Sequence, residues 1–165
     1  MVNRLKYDLI IFDADGTLRR CTVPGQVCPN APGQWELLPG VAGTLTGIEW
    51  GSPSRDRTAL GIASNQAGIA RGYLAEELAR RMLEDTVEAA AGFRPVPGSV
   101  ELCPHGTREG CSCRKPQPLM LQRLMAFWET APERTLFVGD MASDRGAALN
   151  AGCEFRWSAD FFPGD

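Results

Sequence analysis

The chain has 165 residues, of which 44% are hydrophobic and 22% charged, the ordinary mixture for a globular protein of about one domain. Its formal net charge of −3 does not favour a nucleic acid partner, and no apolar run is long enough to span a membrane. The N-terminus lacks the long apolar stretch of a signal peptide. We therefore expect a single domain over residues 1–165, a monomer in the cytoplasm, with its six cysteines outside disulfides.

The order of predicted elements indicates the fold class. Short apolar runs bounded by turn residues predict strands over 7–12, 59–64, 100–103, 135–140 and 153–157. Apolar residues at helical spacing predict helices over 41–50, 73–91, 119–129 and 143–152. Crowded prolines and glycines predict a long surface loop over 19–40. Because strands and helices alternate, we expect an α/β fold, a Rossmann-like doubly wound parallel sheet with flanking helices.

Polar residues stand at the ends of three predicted strands. Asp13 and Asp15 follow the first strand, Ser64 and Asn65 end the second, and Asp140 ends the fourth. Since ligands bind beyond the carboxyl ends of parallel strands, we expect these side chains to converge. Asp13 and Asp15 are two residues apart, so in extended backbone they face the same way. On its own, the D-x-D pattern fits an acidic turn equally well.

Four motifs taken together resemble the haloacid dehalogenase superfamily. They are D-A-D-G-T at 13–17, S-N-Q at 64–66, K-P at 115–116 and G-D-M-A-S-D at 139–144, in the order that the family has them. The resemblance implies phosphatase chemistry, in which Asp13 attacks phosphorus and forms an aspartyl-phosphate. Asp15 is then the residue that protonates the leaving oxygen and later activates water.

The resemblance also implies how the negative charge of a phosphate is tolerated. A carboxylate that attacks a phosphate needs cations beside it, and Mg²⁺ prefers hard oxygen ligands. The implied Mg²⁺ ligands are Asp13, the backbone carbonyl of Asp15 and Asp140. Ser64 and Lys115 are expected to hold the phosphoryl oxygens. Asp144 has two candidate roles, contact with a metal-bound water or orientation of Lys115.

A second cluster of polar residues lies in the segment C-P-H-G-T-R-E-G-C-S-C at 103–113. It contains the only histidine of the chain and half of its cysteines: Cys103, His105, Cys111 and Cys113. Three thiolates and one imidazole close a tetrahedral zinc site without an open position, so we expect a structural zinc. A loop of reduced thiols and a disulfide pair are the alternatives.

The cysteine loop runs directly into R-K-P at 114–116, and S-N-Q-A-G-I-A-R-G occupies 64–72. These features narrow the resemblance to the histidinol-phosphate and heptose-bisphosphate phosphatase branch. That branch implies no large cap domain and a pocket shaped by the zinc loop. The implied candidates for substrate contacts are Asn65, Gln66, Arg71 and Arg114. Arg114 is the best of them, because its planar guanidinium beside Lys115 can grip a second phosphate.

The chain departs from this branch in two places. Ala14 stands where the branch usually has a basic residue between the two aspartates. The Pro- and Gly-rich insert over 19–40 replaces a short turn and carries Cys21 and Cys28, for which we expect free thiols.

We therefore predict a Mg²⁺-dependent phosphatase of a small phosphomonoester, with a sugar bisphosphate such as heptose 1,7-bisphosphate favoured. A histidinol-phosphate phosphatase would use the same chemistry. Arg19 and Arg20 beside the first motif keep a polynucleotide or nucleotide end phosphatase open, although the acidic balance opposes it. A non-catalytic, zinc-stabilised binding module with the same fold is the alternative from a different class.

Overall fold

The computed structural model describes residues 6–164. Residues 1–5, on which part of the signal-peptide prediction falls, and Asp165 lie outside the described residues. The strands of the described part are β1 (Leu9–Phe12), β2 (Arg19–Cys21), β3 (Trp35–Leu37), β4 (Ala59–Asn65), β5 (Val100–Cys103), β6 (Thr135–Gly139) and β7 (Glu154–Trp157). The α-helices are α1 (Val41–Leu45), α2 (Glu76–Ala91), α3 (Leu119–Trp128), α4 (Ala142–Ala151) and α5 (Ser158–Phe161). None of these helices combines the length and apolar character that a membrane crossing needs.

Five strands form one parallel sheet in the order β5-β4-β1-β6-β7, which confirms the predicted fold class. The chain builds one half of the sheet outward from β1 and then returns to place β6 on the other side of β1. The point between β1 and β6 is therefore the topological switch point, where sheets of this kind bind ligands. Asp13 and Asp140 follow these two strands directly.

β1 is buried along its whole length, and its alternating side chains supply two hydrophobic cores. Ile10 and Phe12 pack in the core that contains the apolar faces of α1 and α2. Leu9 and Ile11 pack in the core that contains α3 and α4. With both faces covered by helices, the central strand holds the residues at its carboxyl end in a fixed position.

The segment 19–40 is not the structureless loop that its composition predicts. Its ends form an antiparallel hairpin, in which Arg19 pairs with Leu37 and Cys21 with Trp35. Gln34 organises the intervening loop 22–34, because its Oε1 accepts hydrogen bonds from the backbone N–H groups of Asn30 and Ala31 and from Gln26 Nε2. The prediction was wrong at 19–21 and 35–37, where two three-residue strands depend on pairing with each other rather than on local pattern.

Helix boundaries differ from the predicted ones by a few residues. α1 ends at Leu45 rather than 50, and α2 begins at Glu76 rather than 73. α2 carries Glu76 and Glu77 in its first turn, where acidic side chains interact favourably with the helix dipole. Gly92, with φ +86°, caps its C-terminus. The short helix α5 was not anticipated from the sequence.

Candidate active site

Asp13 follows β1 and lies at the centre of the site. Its backbone N–H donates to the carbonyl of Val138 in β6 at 3.0 Å, which fixes it at the switch point. Its side chain is buried, and Lys115 Nζ lies 2.8 Å from Asp13 Oδ1. Burial raises the pKa of Asp13 well above its usual range, although the Lys115 ammonium opposes this shift. A further positive charge nearby would therefore stabilise the ionised form of the Asp13 carboxylate.

Lys115 is a buried cation with three oxygen partners. Its Nζ lies 2.7 Å from Asp144 Oδ1 and donates to the Ala63 carbonyl at 2.8 Å, in addition to its contact with Asp13. Burial alone would lower the pKa of Lys115, but the Asp13 and Asp144 carboxylates raise it, so the ammonium stays charged. The backbone N–H of Lys115 donates to Asn65 Oδ1 at 3.0 Å. The carboxyl end of β4 thus positions the lysine beside Asp13.

Asp144 has both carboxylate oxygens engaged. Oδ1 pairs with Lys115, and Oδ2 accepts hydrogen bonds from the backbone N–H groups of Asp140 and Met141, each at 3.1 Å. The close approach requires glycine at position 139, because a Cβ there would lie 2.4 Å from the Asp144 Cβ. Of the two candidate roles for Asp144, this geometry favours orientation of Lys115.

Asp13 and Asp140 form an oxygen-rich cradle at the switch point. Together with Asp144, they offer carboxylate oxygens that lie within 4.8 Å of one another. Thr17 Oγ1 bridges the cradle, at 3.3 Å from Asp13 Oδ2 and 3.1 Å from Asp140 Oδ1. Three carboxylates against one ammonium leave an excess of negative charge when all are ionised. Hard oxygen ligands with uncompensated negative charge fit a divalent cation such as Mg²⁺.

Asp15 accepts hydrogen bonds from two residues, Arg19 and Gln66. Arg19 Nε lies 2.9 Å from Asp15 Oδ1, and Arg19 Nη2 lies 3.3 Å from Oδ2. Gln66 Nε2 donates to Asp15 Oδ2 at 3.0 Å and to Ser64 Oγ at 2.7 Å. Sequence reasoning missed the contact of Arg19 with Asp15. Its only signal was a spacing of four residues, which is informative in a helix but not here.

The predicted substrate contacts divide into two groups. Asn65 and Gln66 are part of the network around Lys115 and Asp15, and Gln66 is buried. Arg71 is exposed, and Arg114 is half-buried with Nη1 at 3.4 Å from the His105 carbonyl. Contact of these four residues with a substrate stays a prediction.

The loop 22–34 reaches Asp15 through Cys28. Burial and, after it, the neighbouring Asp15 carboxylate raise the pKa of Cys28 to about 12. Cys28 is therefore a neutral thiol at physiological pH. Cys28 and Cys21 form no disulfide, as predicted.

The four predicted zinc ligands lie together at the carboxyl end of β5. Cys103 Sγ lies 3.6 Å from Cys111 Sγ and 2.9 Å from Cys113 Sγ. His105 Nδ1 lies 3.4 Å from Cys103 Sγ and 3.2 Å from Cys113 Sγ. Three thiolates and one imidazole whose ligand atoms all lie within 4.8 Å of one another are compatible with a zinc site. The separations of 2.9–3.6 Å are at or below the distance of about 3.5–3.8 Å between ligand atoms around a tetrahedral zinc. The disulfide alternative is not realised, because all three cysteines are free.

A central parallel strand that ends in D-A-D-G-T, with a buried lysine and a second acidic strand end beside it, defines a haloacid dehalogenase-like hydrolase. A family model described as HAD-hydrolase-like matches residues 112–157. The D-glycero-beta-D-manno-heptose-1,7-bisphosphate 7-phosphatase of Pseudomonas putida is 31% identical over 146 residues, which are 88% of this chain and 79% of that protein. The protein of the same name from Bordetella bronchiseptica is 30% identical over 148 residues, 88% of this chain and 76% of that protein.

A solved structure supports the same family assignment. The D,D-heptose 1.7-bisphosphate phosphatase from Bordetella bronchiseptica, complexed with magnesium and phosphate, matches with a TM-score of 0.70 at 30% identity. The match covers 90% of this chain and 78% of that one. The chain therefore belongs to the phosphatases of the haloacid dehalogenase superfamily, as the four motifs predicted.

Proposed function

We propose that the protein is a Mg²⁺-dependent phosphatase that removes the 7-phosphate of a D-glycero-D-manno-heptose 1,7-bisphosphate. The observation that carries the proposal is the buried Asp13–Lys115 pair at the switch point of the sheet, beside Asp140. Two relatives that match most of the chain carry this activity in their names, and the related structure holds magnesium and phosphate. The substrate class, a small phosphorylated sugar, follows from those relatives.

The chemistry proposed for the site has two steps. In the first, a carboxylate oxygen of Asp13 bonds to phosphorus while the bond from phosphorus to the sugar oxygen breaks, and Asp15 gives that oxygen its proton. In the second, Asp15 takes a proton from a water molecule, which attacks the phosphorus of the aspartyl-phosphate and releases inorganic phosphate. Lys115 and Ser64 are proposed to bind phosphoryl oxygens. Mg²⁺ held by Asp13, the Asp15 carbonyl and Asp140 would supply positive charge to the transferred group.

Gly16 offers a test of the Mg²⁺ site. Gly16 has φ +88°, and a Cβ there would lie 2.2 Å from Asp140 Oδ2. We expect Gly16→Ala to displace the Asp140 carboxylate and to raise the Mg²⁺ concentration for half-maximal activity by about 10-fold or more. Titration of turnover with Mg²⁺ measures this effect.

The matched control is Gly33→Ala. Gly33 has φ +83°, so alanine meets the same backbone strain, but nothing lies within 4 Å of the added Cβ. We expect the Mg²⁺ titration of this variant to coincide with that of the wild type. Equal shifts in both variants would mean that Gly16→Ala acts through strain and not through Asp140.

We also propose that Cys103, His105, Cys111 and Cys113 bind a structural zinc ion. The meeting of three thiol sulfurs and one imidazole nitrogen within 4.8 Å of one another supports this assignment. Cys113 lies two residues before Lys115 in the chain, so the zinc would fix the loop that delivers the catalytic lysine. Thiols kept in the reduced form suit the cytoplasm, which we propose as the location. A monomeric state stays a prediction.

The substrate is tested with a panel of phosphate esters at saturating Mg²⁺. The panel contains heptose 1,7-bisphosphate in both anomeric forms, hexose bisphosphates, histidinol phosphate, and oligonucleotides with 3′- or 5′-phosphates. We expect the highest kcat/KM for a heptose bisphosphate, with phosphate released from C7 and not from C1. A higher kcat/KM for histidinol phosphate would replace the proposed substrate while leaving the class of enzyme intact.

The polynucleotide or nucleotide end phosphatase was kept open by Arg19 and Arg20, and the structure removes part of that support. Arg19 is completely buried and bound to Asp15, so it has no surface to offer to a phosphate backbone. A non-catalytic module would have no reason to keep Lys115 buried against Asp13 and Asp144. No turnover of any ester in the panel would favour that alternative.

A further inference from the structure

Arg19 is a fully buried arginine at the start of the hairpin insert. Its side chain has 0% exposure, and every guanidinium nitrogen has a partner. Nε and Nη2 donate to the two carboxylate oxygens of Asp15, at 2.9 and 3.3 Å. Nη1 donates to the Met82 carbonyl at 3.1 Å and to Thr86 Oγ1 at 3.0 Å, both in α2. One side chain thus connects Asp15 to a helix more than sixty residues away in sequence.

The arrangement fixes the orientation of the Asp15 carboxylate. A two-pronged contact between a guanidinium and a carboxylate holds the two groups in one plane. Gln66 Nε2 adds a third donor to Asp15, at 3.0 Å from Oδ2. The guanidinium is itself held, because α2 takes its remaining nitrogen and the Trp35 ring lies against it, with Arg19 Cζ 5.9 Å from the ring centroid. Asp15 therefore has little rotational freedom.

Burial of an arginine is costly unless its charge and all of its donors are satisfied, so a position like this one calls for a reason beyond packing. The cation that contacts Asp13 and Asp144 is Lys115, and no described contact links Arg19 to that group. The contact that distinguishes Arg19 is with Asp15, the residue proposed to transfer protons.

We infer that Arg19 is a positioning residue for proton transfer by Asp15, and that Thr86 of α2 anchors it in that role. The inference rests on the proposed function, because it requires Asp15 to protonate the leaving oxygen. The inference also assigns a role to the insert over 19–40. β2 carries Arg19 into the site, and β3 brings Trp35 over its guanidinium.

Leaving groups of different quality separate this role from a purely structural one. An alkyl phosphate needs a proton on its leaving oxygen, whereas p-nitrophenyl phosphate has a leaving group that departs unaided. We expect Arg19→Met to lower kcat/KM, which reports the first step and not the later hydrolysis common to both substrates, by about 100-fold for an alkyl phosphate but by less than about 10-fold for p-nitrophenyl phosphate. Arg19→Lys keeps one donor and should recover part of the loss. Equal losses on both substrates, or no loss, would overturn the inference.

Thr86→Val is the second variant, for the case in which Arg19→Met does not fold. Valine keeps the shape of threonine and removes the hydroxyl, which accepts from Arg19 Nη1 and donates to the Met82 carbonyl within α2. We expect a decrease in kcat/KM of about 3- to 10-fold for the alkyl phosphate and no measurable decrease for p-nitrophenyl phosphate. A folded Thr86→Val protein with wild-type kcat/KM on both substrates would contradict the anchoring role.

Arg20→Met is the matched control. Arg20 is the next residue of β2, but its side chain is exposed and pairs with Glu36 across the hairpin. We expect wild-type kinetics on both substrates. Asp15→Asn is the reference variant. We expect it to show the same selective loss on the alkyl phosphate as Arg19→Met, but of larger magnitude. If Asp15→Asn shows that loss and Arg19→Met does not, only the inference fails. If the wild-type protein hydrolyses neither ester, the proposed function fails with it.

Discussion

Asp13→Asn is expected to reduce turnover by about 10⁴-fold or more while leaving the fold in place. The amide fills the same space as the carboxylate but cannot attack phosphorus. Lys115 keeps its contacts with Asp144 and the Ala63 carbonyl, so the substitution leaves no unpaired cation in the core. Steady-state kinetics and thermal unfolding measure the two effects separately.

Asp8→Asn is the control for that experiment. Asp8 precedes the same strand at its opposite end, where its carboxylate pairs with Arg134 at 3.0 Å. We expect wild-type turnover, because this pair lies at the amino ends of β1 and β6, opposite the candidate active site. Rapid quenching with a substrate labelled in its phosphate should find label on the wild-type protein at Asp13 and none on Asp13→Asn. Retained activity in Asp13→Asn would rule out Asp13 as the nucleophile.

Loss of one ligand of the cysteine–histidine cluster should have the largest effect on stability. We expect Cys113→Ser to lose its zinc and to lower the free energy of unfolding by about 4 kcal/mol or more. Cys113 is buried, and its Sγ contacts both Cys103 and His105, so the substitution removes a buried ligand atom from the middle of the cluster. Because Lys115 follows two residues later, turnover should fall with stability. Metal analysis, thermal unfolding and kinetics on one preparation measure all three quantities.

Cys153→Ser is the matched cysteine variant. Cys153 is half-buried behind α4, with its Sγ 3.7 Å from the Ala148 carbonyl, and it lies outside the cluster. We expect unchanged zinc content and a stability loss below about 1 kcal/mol. A wild-type protein purified without added chelator that contains no zinc, and gains no stability when zinc is added, would refute the proposed zinc site.

The sheet and the centre of the site could be predicted from the sequence because local signals specify them. β1, β4 and β6 are short apolar runs that end in polar residues, and parallel strands bring those ends to one edge. The cysteine–histidine cluster was predictable for a similar reason, since its four members lie within eleven positions. Cys103, His105, Cys111 and Cys113 do meet in the structure.

The hairpin and the contacts of Arg19 could not be predicted, because both depend on partners that are distant in sequence. β2 contains two arginines and a cysteine, which have no strong preference for strands, and it is only three residues long. Arginine is almost never fully buried, so an exposed position was the better expectation for Arg19. Its burial depends on hydrogen bonds to Met82 and Thr86 of α2, and no local sequence pattern predicts these contacts.

The central place of β1 also constrains the order of folding. Both neighbours of β1 are made later in synthesis, and β6, which supplies the Val138 carbonyl to Asp13, ends only at Gly139. A nascent chain that stops short of β6 leaves one edge of its most apolar strand unpaired, a template for association with other chains. Pairing over such sequence separations is slow to form. The ribosome must therefore synthesise the chain through Gly139 before Asp13 has a fixed position, so chains that end before β6 should aggregate rather than retain partial activity.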